Sequence, residues 1–268
     1  FIYLRKPYFP SSKEGRTLIP RKAQTTAFTI AALAIIVVAI AITSLSQRSS
    51  LPQTEIPQAL TLPPKAQAVH DFIAACVTSA TDEALLAVGI RGGNFILPQN
   101  VLKTEIAVYP LYYADQQVFV PTQQEVTASL AAYIKDDVQN CIEERQIHGI
   151  ELRFTAPRVF VQLSEGEVLA RVDAPSQLAF DGTTIDLKQP YEARRSVNFL
   201  KLYTTAATVA QSTAQDPSAI TLDALLSDNL QSEVTPYGSA LIYMLSEPAS
   251  NVGQLPVLFL FAVEVSPS

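Results

Sequence analysis

The chain has 268 residues, with 19 Lys or Arg against 25 Asp or Glu, for a net charge of −6. From Ser49 onward 12 basic residues face 24 acidic ones, a net of −12, and a surface of that sign repels phosphate backbones, so no nucleic acid is expected as a partner. Two cysteines and two histidines make no local zinc pattern, and neither a metal nor a cofactor is expected.

Residues 1–22 carry six basic side chains against the single acid Glu14. Residues 23–47 then contain no charge, and the nineteen from Ala27 to Leu45 are almost wholly apolar. As a helix they span roughly 28 Å at ~1.5 Å per residue, close to the ~30 Å hydrocarbon core of a bilayer. A transmembrane helix is expected over 23–47, with the basic segment 1–22 held in the cytoplasm and the rest outside. A removable secretory signal is the alternative. Its apolar region usually runs only about 7–15 residues, although Ala39-Ile40-Ala41 does supply a small-x-small site.

Four prolines in residues 48–64 rule out a continuing helix and predict an extended stalk. The exterior domain is then expected over 65–268. Residues 65–88 place Val69, Phe72, Ile73, Cys76, Val77, Ala80 and Ala84 at helical spacing, with Gly89 as the stop. Residues 103–113 read as a strand that Pro110 restricts to an edge or a bulge, paired with 118–120. Thr122 and Glu125 have capping-box spacing, and Val126, Leu130, Ile134, Val138, Cys141 and Ile142 form the stripe of a second helix.

Over 149–197 the apolar period falls to two, which predicts an antiparallel meander with one buried face. Its turns fall at Ser164-Glu165-Gly166 and Asp181-Gly182. A third helix is expected over 198–214, and a short one over 220–230. Two closing strands follow over 240–245 and 256–264, the last apolar on both faces and therefore central. The fold class is α+β: an N-terminal transmembrane helix, then an exported domain of amphipathic helices and an antiparallel meander.

Cys76 and Cys141 each lie on the apolar side of a predicted helix. They are a disulfide candidate, with two buried thiols or a redox or metal role as the alternatives. Tyr109, Tyr112 and Tyr113 crowd the predicted edge strand and form a candidate contact surface, since Tyr is favoured at interfaces. Arg91-Gly92-Gly93 follows a helix instead of opening one, so it reads as a turn and not as a phosphate loop. His70 beside Asp71, and His148 after the second helix, lack any nucleophile motif and read as structural. The acidic pairs Asp82-Glu83, Asp136-Asp137 and Glu143-Glu144, like Arg194-Arg195, read as solvated surface.

Arg21-Lys22-Ala23-Gln24-Thr25-Thr26, running into Phe28-Thr29-Ile30, resembles the N-terminus of archaeal class III, type IV pilin-like precursors. The resemblance implies cleavage after Ala23, leaving Gln24 as the new N-terminus. Many pilins carry Glu five residues into the mature chain, where Phe28 stands here. The rest is similar to a group of uncharacterised archaeal membrane-anchored proteins. The similarity lies in a Cys helix ending in Gly-Gly (Cys76 to Gly93), a second Cys at Cys141, and strands at Ile242-Tyr243 and Phe261-Ala262. That group implies no activity.

The expectation is a single-pass, non-enzymatic cell-surface protein whose exterior domain binds or scaffolds. Its partners would be the lipid bilayer and other surface or pilus-like proteins. A pilin-like filament or secretion-system subunit processed after Ala23, and a membrane-tethered hydrolase, are the alternatives.

Overall fold

A computed structural model describes residues 62–144, 150–217, 225 and 230–265. The leader-cleavage candidates Ala23 and Gln24, the transmembrane helix expected over 23–47, the stalk up to residue 61 and His148 all lie outside these residues. So does the helix expected over 220–230, apart from Leu225 and Leu230. The described chain is mixed α+β, with three helices and mostly antiparallel strands.

Helix α1 (Pro64–Ile90) begins with proline, whose missing N–H costs nothing in a first turn. Its buried stripe runs from Ala66 and Val69 through Ile73, Cys76 and Ala80 to Val88. Among the described residues α1 alone is long and apolar enough, by length and composition, to cross a membrane; half of its most apolar stretch is buried inside the domain. Packing against the sheet and its partner helix therefore accounts for that composition.

Helix α2 (Gln123–Glu144) starts at the expected capping box. The Thr122 N–H donates to Glu125 Oε2 at 2.6 Å and the Glu125 N–H to Thr122 Oγ1 at 3.2 Å, which satisfies two donors that the helix end would leave bare. The buried faces of α1 and α2 meet. Cys76 and Cys141 are joined there in a disulfide, with their Cα atoms 5.9 Å apart.

The main sheet comprises β1 (Val101–Lys103), β2 (Val108–Ala114), β10 (Gln231–Tyr237), β11 (Ala240–Val252) and β12 (Leu255–Glu264), in the order β1-β2-β12-β11-β10. The strand expected over 103–113 is broken by a turn at residues 104–107 into β1 and β2, which pair with each other, and the short β3 (Gln117–Val118) pairs with β2 in place of the 118–120 expected. Every pairing is antiparallel except β2 with β12, which run parallel through Leu111↔Ala262 and Tyr113↔Val263. The closing strand is indeed internal, with β2 on one side and β11 on the other.

The C-terminal turn of α1 lies against the Leu258 and Leu260 carbonyls, on the stretch of β12 ahead of its pairing with β2. Glycine permits that approach. A Cβ on Gly89 would collide with the Leu258 carbonyl oxygen, and one on Gly92 (φ +55) would sit 2.8 Å from that of Leu260. Gly89 is thus the last turn of the helix and not its stop, and Arg91-Gly92-Gly93 is the turn that follows.

The meander expected over 149–197 is instead two three-stranded antiparallel sheets. Strands β5 (Arg158–Ser164) and β6 (Glu167–Asp173) form a hairpin that takes β9 (Tyr191–Arg195) as its third strand. Strands β7 (Ser176–Phe180) and β8 (Thr183–Leu187) form a second hairpin that takes β4 (Glu151–Phe154). A period of two marks a half-buried strand but carries no information about its neighbour, so chain order misleads here.

Helix α3 (Phe199–Gln215) buries Leu202, Ala206 and Val209 as expected, and packs on the main sheet beside α1.

Candidate ligand groove on the open face of the sheet

Alternate residues of β12 point to opposite sides of the sheet. Val257, Phe259, Phe261 and Val263 face the helices and are fully buried. There the rings form a ladder: Tyr112 lies 4.9 Å from Phe261, Phe261 stacks on Tyr243 at 5.0 Å, and Phe199 meets Phe259 edge-on at 5.7 Å. Tyr112 donates its hydroxyl to the Gly92 carbonyl at 2.9 Å, and burial, followed by the proximity of Tyr203, pushes its pKa well up.

On the opposite side Leu260 and Met244 are only half-buried, and register sets them in a row with Glu233 across β12, β11 and β10. The next row holds Thr235, Ile242, Ala262 and Leu111. Ile242, Met244 and Leu260 floor a groove of about 440 Å³, while Ala262 and Leu111 are buried beside it. One rim is the turn after β1, with Thr104, Glu105 and a 91% exposed Ile106, together with Tyr109 of β2; the other is β10, with Glu233, Thr235 and Tyr237. Two carboxylates rim it, and among the described residues lining it there is no Lys, Arg or His.

The three tyrosines proposed as one contact surface part company. Tyr112 is 0% and Tyr113 5% exposed, so neither offers a surface to a partner; Tyr109 alone lines the groove. The reason is tertiary. Strand β2 is not an edge, because β12 covers one side of it and β1 the other, and β1 pairs Val101 with the Pro110 position where no N–H exists.

Arg195, read from sequence as surface, makes a forked ion pair with Asp82 through Nε and Nη2 and ties β9 to α1. Arg91 donates Nη1 to the Phe95 carbonyl at 2.7 Å, which engages the guanidinium. His70 packs its ring 5.1 Å from that of Tyr191 and sets Nδ1 3.3 Å from Asp71 Oδ1. The Tyr191 hydroxyl is buried with no hydrogen-bond partner among the described residues, and burial pushes its pKa up to about 12.

A second polar cluster was missed by sequence reasoning altogether. Register slips between Ser246 and Asn251 in β11, and the bulge turns Glu247 and Ser250 inward, 9% and 1% exposed. Ser250 Oγ donates to Glu247 Oε2 at 2.6 Å and accepts the N–H of Asn198, the residue before α3, at 2.8 Å. Lys201 Nζ lies 3.8 Å from Glu247 Oε1. The carboxylate complements the positive end of the α3 dipole, and the cluster caps that helix from another strand. No local spacing announces a cap 52 residues away.

Among the described residues no group of three or more His, Cys, Asp or Glu side chains is placed to hold a metal ion. No protein-family model, curated protein or solved structure matches the chain.

Proposed function

We propose that this is a single-pass membrane-anchored surface protein whose exterior α+β domain works by binding, and that its binding site is the groove on the open face of the main sheet. The groove carries the reading. It has a volume in the range of small-ligand sites, an apolar floor and a few polar groups at its rims, the composition such sites share. The Cys76–Cys141 disulfide supports an oxidising compartment, and the uncharged residues 23–47 behind a basic segment support an anchor with the N-terminus inside.

Two measurements test the two halves. Protease added to intact cells is expected to remove residues 65–268; protection of that portion overturns the exterior assignment. Met244 is the one methionine of this sequence and sits on the groove floor, so its ¹³C-methyl signal, assigned by its loss in a Met244→Leu variant, reports on the groove. In zwitterionic nanodiscs its signal is expected to shift saturably with 1-hexanol as an apolar probe. No shift overturns the binding site. A mature chain found to begin at Gln24 favours the pilin-like reading, which the pattern around Ala23 motivates.

A further inference from the structure

We infer that the groove takes a small organic cation with a hydrocarbon body, of the alkylammonium type. The inference rests on the binding site just proposed and adds the chemical class of its occupant.

Three features select that class. First, the charge is of one sign and sits on both rims: Glu105 in the turn after β1 and Glu233 on β10 are both exposed, and among the described residues no basic side chain lines the space between them. An anionic ligand meets repulsion from either side, whereas a cation finds a carboxylate. Second, Glu233, Met244 and Leu260 are register neighbours on three adjacent strands. At about 4.8 Å between strands, a cationic head at Glu233 lays its chain over Met244 and Leu260 within roughly 10 Å. The thioether of Met244 is soft and adaptable, suited to an alkyl chain of no fixed shape. Third, Tyr237 is 42% exposed on the Glu233 rim and Tyr109 lines the opposite rim, so each rim that offers a carboxylate also offers an aromatic ring, whose face attracts ammonium groups.

The same features disfavour the other occupants of an open apolar face. A second copy of the domain sets the Glu105 and Glu233 rims of one molecule against those of the other, and like charges brought together across an interface are costly. An anionic membrane surface is repelled for the same reason. A volume of about 440 Å³ matches a small molecule more closely than the broad flat patch a protein partner needs.

The test uses the full chain, ¹³C-methyl-Met labelled, in zwitterionic nanodiscs. The Met244 signal is followed against hexyltrimethylammonium, 1-hexanol and hexanoate, three probes with one alkyl chain and different heads. The cation is expected to reach its midpoint at a concentration at least about ten-fold below the alcohol, with hexanoate weakest. In the Glu105→Gln/Glu233→Gln double variant that preference should vanish while the response to 1-hexanol persists, which also shows that the variant is folded. Equal midpoints for cation and alcohol, or a preference that survives the double substitution, overturn the inference and leave the binding site standing. Silence toward all three overturns both. A Met244 signal that shifts with protein concentration alone assigns the face to a second copy and likewise overturns the inference.

Discussion

The two faces of the main sheet are made by the same strands and end in opposite states. On the helix side Tyr112, Tyr243, Phe259 and Phe261 are at most 1% exposed, locked in a ladder beneath α1 and α3. On the other side Ile242, Met244 and Leu260, every bit as apolar, are left half-buried around an open groove rimmed by Glu105 and Glu233. Hydrophobicity alone therefore does not separate core from surface in β12. What separates them is the presence of helices on one side and a carboxylate rim on the other. The helix side is packed shut, and the open side is where the binding site is proposed.

Neighbouring residues of one strand offer the sharpest way to break that contrast. Phe261→Ala removes a ring packed on two others and is expected to cost about 3–5 kcal/mol in urea unfolding. Leu260→Ala, one residue away on the open face, is expected to cost under about 1 kcal/mol and instead to weaken the Met244 response to 1-hexanol. Equal costs would show that the open face is core as well.

The disulfide lies in the helical layer. Replacing Cys76 and Cys141 by Ala opens a loop closed over a sequence separation of 65 and is expected to cost about 4 kcal/mol in the chain-entropy model. The Met244 methyl signal of the folded variant should stay where it is, because the bridge joins α1 to α2 and the residues lining the groove lie on strands and the turn after β1; a shifted signal would couple the two faces.

Thr122→Ala removes the capping oxygen of α2 and is expected to lower stability by about 1 kcal/mol, read from the urea midpoint, without touching the groove.

The smallest effect concerns Asp137 on α2. Burial, then Glu83, Glu144 and Asp136, raise its pKa above the ordinary value. The folded chain thus holds this proton more tightly than the unfolded chain, and the charged form weakens the fold at neutral pH. Asp137→Asn is expected to raise the urea midpoint slightly at pH 7. The gain should shrink as pH falls through the raised pKa and disappear below the unfolded value of 3.8. A gain that grows in acid would reverse the sign of this assignment.

Much of the domain was legible residue by residue. The stripes of α1 and α2, the Thr122–Glu125 box, the hairpin at Asp181-Gly182 and the two-faced character of β12 all come from spacings of two to four residues, and the structure keeps each of them. Strand β10 escaped because it is exposed nearly throughout and has no apolar face to count. Strand β9 escaped because its charged residues masked a short alternation around Ala193. The groove escaped because its rims, Glu105 and Glu233, lie far apart in the chain.

From its own residues the sequence determined where the helices coil, where the apolar strands extend, and which side of each seeks burial, since these follow from local stereochemistry and the period of apolar side chains. Only the tertiary structure decided that Leu111 runs beside Ala262, that Asp82 grips Arg195, and that Leu260 on the second side of β12 stays half-buried while Phe259 and Phe261 are sealed. Those outcomes depend on which distant surfaces fill the same space, and a side chain's own pattern names the face it presents without naming the partner that covers it.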